Sequence, residues 1–299
     1  MLSPLTHRRG KVDSTRVRAG GWILLAYFAI ACSSTQGSSP VLPAPSPPPV
    51  INPSSAISWT FNYATGATQY QISRSAAIEG RSDSSNNREI STNITRELIT
   101  LIPAGDSGIG FTAIVDTFSS TTQGLIGPVQ AVQLPVQVSG IFGDSSLIIR
   151  SDRSGDKCNP VSSAIASDLH NLLTRFPGQL SRGLVWRDSV STTGCQASIP
   201  TSSRTVRSYI VLGESIYESR PVVVVQRTDT IQAEGEGAQQ QHPLKLNAGG
   251  TGKAIYYLDT KDGYVVRLTA DQELNLTITT SGKAHQFRQS SRQDFRLVR

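Results

Sequence analysis

From Ile57 to Val298 apolar residues recur mostly at every second position, and almost nowhere at the spacing of three and four that a helix requires. Ile57, Trp59, Phe61 and Tyr63 alternate with Ser58, Thr60 and Asn62, the pattern of a half-buried strand. The same alternation, broken by glycine, proline and small polar residues, predicts strands over 68–78, 90–102, 109–118 and 129–138. It resumes over 184–190, 205–213, 221–234, 252–259, 274–280 and 284–298. Gly80 to Asn87 reads as a polar loop. Asp262-Gly263 is a strong hairpin signal between Tyr256-Tyr257-Leu258 and Tyr264-Val265-Val266, and Ser281-Gly282 supplies a second tight turn. Short strands joined by tight turns predict antiparallel pairing.

One segment breaks the pattern. Asn159 can cap a helix, Pro160 suits its first position, and Val161, Ile165, Leu169, Leu172 and Phe176 recur at helical spacing before Pro177 and Gly178. A helix over 160–176 therefore separates two β-rich stretches, 56–150 and 180–299. Gln71 to Gly80 and Gln226 to Gly235 both run from a glutamine through a polar strand to a Glu-Gly turn, a faint sign of a duplicated meander. The expected fold class is mainly β: a curved, open-barrel-like antiparallel sheet with one helix packed on its concave face, where it covers apolar surface.

Before this body the chain carries Arg8, Arg9, Lys11, Arg16 and Arg18 against the single acid Asp13, then an apolar run from Gly21 to Cys32. A charged segment followed by about ten apolar residues fits an export signal over 1–31, since a spanning helix needs roughly 20. Residues 33–55 are rich in Ser, Thr and Gly, with Pro43, Pro45, Pro47, Pro48 and Pro49 close together. Such a segment stays partly extended and serves as a tether from Cys32 to a body over 56–299.

Ala29-Ile30-Ala31-Cys32 resembles the lipobox of bacterial lipoprotein precursors, with Ala29 where leucine is usual. The resemblance implies that Cys32 becomes the lipid-bearing first residue of a mature protein held at a membrane of the cell envelope. The same triplet also fits ordinary secretion, which leaves Cys32 without lipid. With Cys32 lipidated, the other two cysteines, Cys158 and Cys195, are left to form a disulfide, and two buried thiols are the other reading. Closing that loop would contribute about 4 kcal/mol in the chain-entropy picture.

The sequence has 28 basic and 22 acidic residues; the signal holds five and one of these, so the mature net charge is +2. That value, without a basic stripe bearing interleaved aromatics, speaks against nucleic acid. The basic tail from Lys283, with Arg288, Arg292, Arg296 and Arg299, reads as a solvated strand face.

Few motifs carry chemistry. Gly143-Asp144-Ser145-Ser146-Leu147 resembles the nucleophile block of GDSL-type esterases, but His242 and His285 lack the aspartate three residues earlier that such a triad uses. Ester hydrolysis by Ser145 is thus a remote alternative. Gly105-Asp106-Ser107-Gly108 looks like a protease serine block, yet the only histidine before it is His7. Gly249-Gly250-Thr251-Gly252-Lys253 departs from a phosphate loop at both ends, at Asn247 and Ala254. Asp259, Asp262 and Asp271 are calcium candidates that fit turn chemistry better, and His170 reads as a partly packed helix residue. Trp59, Trp186, Tyr256 and Tyr257 read as core aromatics. No cofactor is expected.

The inferred architecture looks like the open-barrel sheets of periplasmic lipoprotein carriers, whose concave faces hold acyl chains. That resemblance implies a non-enzymatic envelope lipoprotein holding an apolar or amphiphilic ligand between sheet and helix. A solid-cored module that docks another protein is the alternative.

Overall fold

The computed structural model describes residues 57–58, 67–82, 85–104, 108–123, 134–143, 147–151, 160–196, 199–239 and 242–298. All of them fall in one compact unit within Pro47–Arg299. The signal, Cys32, the whole tether, Trp59, Ser145, Cys158 and Asn159 lie outside the described residues.

Strand β1 (Ile57–Ser58) pairs only with the short β7, and the first long meander is β2 (Thr68–Ser82), β3 (Ser85–Pro103), β4 (Ile109–Gln123), β5 (Val136–Phe142) and β6 (Leu147–Ser151). Helix α1 (Pro160–Leu172) and β7 (Gln179–Leu180) follow. The second meander is β8 (Val185–Gln196), β9 (Ile199–Tyr217), β10 (Arg220–Gln239), β11 (His242–Asp259), β12 (Val265–Thr280) and β13 (Lys283–Leu297). The two meanders join through β2 against β13 into one antiparallel sheet of eleven strands, ordered β6-β5-β4-β3-β2-β13-β12-β11-β10-β9-β8.

This order puts the first and last long strands side by side, as in a closed up-and-down barrel, but the opening falls in mid-chain, between β6 and β8. Helix α1 is the connection across that opening. Ser163 Oγ, on the helix, accepts the Cys195 N–H of edge strand β8 at 3.0 Å. His170 meets Phe142 of β5 edge to face, with ring centroids 5.3 Å apart. An uncovered edge is a template for unwanted pairing, and the helix blunts it.

The sheet is curved enough for one core to gather side chains from β2, β3, β4, β5 and β9 to β13 around the helix. Ile165, Leu169 and Leu172 of α1 are fully buried there with Tyr70, Ile72, Val225, Tyr256, Leu268 and Phe295. The alternation of β10 then assigns its faces: Val223, Val225, Arg227, Asp229 and Ile231 share the inner, helix-bearing face. Val222 and Val224 face outward and are buried in a separate small cluster with Tyr257 and Val266.

The helix ends at Leu172, earlier than the expected 176. Pro177 disfavours helical geometry at Phe176, and the Thr174 hydroxyl donates to the carbonyls of His170 and Asn171, which satisfies the last turn. Phe176 keeps its core role, with its ring 5.1 Å from that of Tyr256. Several strands run longer than the alternation suggests. Gly80 to Asn87, expected as a loop, belongs mostly to β2 and β3, because main-chain pairing is indifferent to side-chain polarity. Strand β11 begins at His242 and not at Gly252, since Gly249 and Gly250 hide its alternation.

Close approach, and not turn geometry, explains Gly250: a Cβ there would lie 2.0 Å from the Glu273 carbonyl oxygen of β12. Gly250→Ala is expected to cost about 2 kcal/mol or more, read as a lowered denaturant midpoint. Gly178→Ala, with nothing within 4 Å of its Cβ, is the control and should stay within about 0.5 kcal/mol of wild type.

Candidate functional site: the inner face of the sheet

Helix length decides how much of the inner face is covered. Thirteen helical residues span about 20 Å, whereas the 20 residues of β10 span roughly 65 Å. Among the described residues the helix therefore covers one end of the concave face only, and beyond its reach Ile199, Ile231, Leu246, Leu274 and Leu276 are buried against one another.

Where the helix docks, the register lines up a row across seven strands: Tyr209, Arg227, Ala254, Ala270, Gln293, Arg74 and Thr95. The small side chains of Ala254 and Ala270 leave room for the polar side of α1. Asp168, fully buried, ion-pairs with Arg74 and accepts from Gln293 Nε2 at 3.0 Å. Asn171 donates to Gln293 Oε1 at 3.2 Å and accepts from Arg227 at 2.9 Å. Arg227 also pairs with Asp229 at 2.9 Å and donates to the Tyr256 hydroxyl, which donates in turn to the Asn171 carbonyl at 3.0 Å. Arg207 completes the belt, pairing with Asp188 at 2.6 Å and donating to the His170 carbonyl at 3.3 Å. Trp186 stacks on Tyr209, with centroids 4.8 Å apart and planes within 2°.

The space between sheet and helix, where the sequence places a ligand, is thus filled by side chains of both. Buried ion pairs of this kind add little net stability over apolar packing, but breaking one by removing a partner costs about 3–5 kcal/mol. Their effect is to fix the position of the helix.

One step further from the helix, a second row crosses eight strands: Asp188, Arg207, Asp229, Gly252, Gln272, Ser291, Ala76 and Asn93. Its middle, from Gly252 to Ala76, is small or neutral and partly exposed. Beyond it lies an apolar cluster of Ile199, Ile231, Leu246, Leu274 and Leu276, with Leu244, Ala248, Ile278 and Phe287 partly buried against it. The Phe287 ring lies over Gly80, whose Cβ would come within 2.7 Å of it. The inner face is therefore apolar under the helix, polar across its middle and apolar again beyond.

Glu97, 3% exposed and paired with Ile72 of β2, faces the same belt by the ordinary alternation of β3 with Thr95 and Asn93. Burial and the neighbouring Asp168 carboxylate hold its carboxyl well above the usual carboxylate range, so it is the protonated partner of Asp168. Burial and the Arg207 charge lower the His170 imidazole.

Of the residues singled out in the sequence, Trp186 and Tyr256 join this face, and Tyr257 belongs to the outer cluster. His170 packs as expected. Asp259 serves its own turn, accepting the N–H groups of Lys261 and Asp262 at 2.8 and 3.1 Å, and Asp271 pairs with Arg292. Gly249 to Lys253 lie within β11, where their main chain is committed to the ladder. Arg288 and Arg296 pair with Glu273 and Asp294 on the outward side of β13. Ser145 and Cys158 lie outside the described residues. Among the described residues no three His, Cys, Asp or Glu side chains come together to hold a metal, and no helix is long and apolar enough to cross a membrane.

The belt residues Arg74, Glu97, Asp168, Arg207, Arg227 and Asp229 were not foreseen as a site. Their signal was available as charges at inward positions of an apolar alternation, such as Arg227 and Asp229 following Val223 and Val225.

The pH dependence follows from Glu97. Between the ordinary glutamate range, about 4.3, and the raised folded value, the folded chain holds a proton that the unfolded chain has released. Stability is lost as pH rises through that window. Glu97→Gln, permanently neutral, should gain on wild type as pH rises, read by urea unfolding from about pH 4 to 8. His170 acts oppositely, since stability from its neutral form is lost as pH falls below about 6.5. Parallel stability curves for wild type and Glu97→Gln would contradict the shared proton.

No family model and no curated protein matches this chain. Among solved structures it is similar to the translocator domain of autotransporter NalP from Neisseria meningitidis, at 10% identity and a TM-score of 0.23. That similarity covers 78% of this chain and 88% of the other, and at that score it supports no conclusion about fold or function.

Proposed function

We propose that this chain is a non-enzymatic lipoprotein of the cell envelope that holds an amphiphile against the end of its concave sheet that lies beyond the helix. The observation that carries the proposal is the inner apolar cluster of Leu246, Leu274 and Leu276, bordered by partly exposed Phe287, Ile278 and Leu244, on a face where the helix reaches only part of the way. Ligand sites are concave, mostly apolar and furnished with a few placed polar groups, and this end of the face has that make-up. The seat thus lies beside the helix and not under it.

Anchoring through lipid on Cys32 rests on the export signal and the Ala29-Ile30-Ala31-Cys32 motif, and it makes the membrane the chain's partner. The bridge between Cys158 and Cys195 is part of the same reading. The Cys195 main chain is held by Ser163 near the start of α1, five residues after Cys158 in sequence. Such a bridge would tie the helix entry to edge strand β8. The packed core under the helix favours the second reading, a solid module that docks another protein.

Intact-mass analysis separates the anchoring readings. A lipid mass lost in Cys32→Ala, with two hydrogens gained on reduction, is expected. An unlipidated chain removes the membrane anchor. For the seat, Leu276→Trp should displace an environment-sensitive apolar fluorophore from the protein; unchanged binding would favour the solid module.

A further inference from the structure

We infer that the seam between β6 and β8 takes up one extended strand of a partner polypeptide, which pairs antiparallel with the edge of β8 and lies over helix α1. This is a protein-binding site, separate from the amphiphile seat on the inner face, and it stands whether or not that seat is filled.

Main-chain groups along a strand point alternately to its two sides. In β8 the phase that faces away from β9 is fixed by Cys195: it lies opposite Pro200, which has no N–H to offer, and its own N–H goes to Ser163 Oγ of the helix. Arg187, Ser189, Ser191 and Thr193 share that phase. Because β8 is the last strand of the sheet, their N–H and C=O groups face the seam with no main-chain partner among the described residues. The helix thus blunts the edge at Cys195 and leaves Arg187 to Thr193 unpaired on this side. Edges are ordinarily protected by charge, proline or a bulge. Here Arg187 is the one outward charge, and the surface beside it is apolar: Val185, 56% exposed, is paired with Ile210, and Val206, opposite Ser189, follows on the same face.

Direction and width select the occupant. An antiparallel sheet with an odd number of strands ends in two strands that run the same way, so β6 and β8 are parallel to each other. One strand running the opposite way would be antiparallel to both. Helix α1 touches the two sides of the seam, through Ser163 at Cys195 and through His170 at Phe142 of β5. A helix is about 10 Å across, and a strand seated between two others needs two ladder spacings, roughly 9.6 Å. The edge of a second folded copy would bring its own neighbouring strand against β6, whereas a lone extended segment would not. The helix also supplies a floor of small residues: Ser163, Ala166, Ser167 and His170 lie along one side of it, Ser167 exposed and the others partly so. Side chains of the added strand that point inward must therefore be small. Those that point outward would be apolar and would extend the surface of Val185, Ile210 and Val206. Main-chain bonds would give such a complex its affinity, and the alternate side chains its specificity.

The test uses the peptide Ac-Lys-Val-Ser-Val-Ser-Val-Ser-Val-Lys-NH2, titrated into the full exported chain while amide exchange is followed by nuclear magnetic resonance. In the free protein the amides of Arg187, Ser189, Ser191 and Thr193 should exchange at least about tenfold faster than those of Asp188, Val190 and Thr192, which face β9. The peptide should slow the first group about tenfold or more, and the same peptide N-methylated at its valines should not. Ser191→Pro deletes a donor that bonds nothing in the protein; with an unchanged melt, it should weaken the peptide about fivefold or more. Val185→Lys should also weaken it, through the outward surface alone. Slow exchange of the first group in the free protein would show that the chain already covers its own edge and would overturn the proposal. So would a peptide that fails to bind, or that binds equally well after Ser191→Pro. Protection that rises with protein concentration and not with peptide would assign the edge to a second copy and overturn the partner strand.

Discussion

The Asp168 carboxylate is the point on which the architecture depends. A fully buried charge on a helix is tolerated only when partners surround it, and Arg74, Gln293 and the protonated Glu97 come from three strands to do so. Those strands, β2, β13 and β3, belong to both meanders. One side chain of α1 thus ties together the halves of the sheet that the helix also bridges at its open seam. Arg227 and Arg207 repeat the arrangement toward β10 and β9, against Asn171 and the end of the helix. The helix is a fixed plug at one end of a curved sheet.

Fixing the plug has a consequence for the remainder of the concave face. The strands are about three times as long as the helix, so the inner face continues past it, first through a row of small and neutral residues and then into a second apolar cluster. Ion pairs with Asp168, Asp188 and Asp229 absorb the guanidinium groups of Arg74, Arg207 and Arg227.

Much of this was legible in the sequence and some was not. Alternation at every second residue identified the strands and their antiparallel pairing, and capping and spacing identified α1, because both patterns report directly on which side of an element is buried. Strand lengths were understated where polar residues or the glycines at 249, 250 and 252 interrupt the alternation of a ladder that main-chain bonds sustain. The single sheet, joined through β2 and β13, is a pairing between residues more than 190 positions apart, and no local signal specifies it. Arg227 and Asp229 stood at inward positions, but only the fold shows that Asn171 of the helix meets them.

The most direct measurement places an amphiphile on the face. Methyl spectra of the protein, recorded with a spin-labelled fatty alcohol, should show broadening of Leu246, Leu274 and Leu276, while Leu169 and Leu172 under the helix keep their intensity. Broadening confined to outward-facing residues such as Val185 and Ile210, or broadening of the helix-side leucines first, would contradict the account.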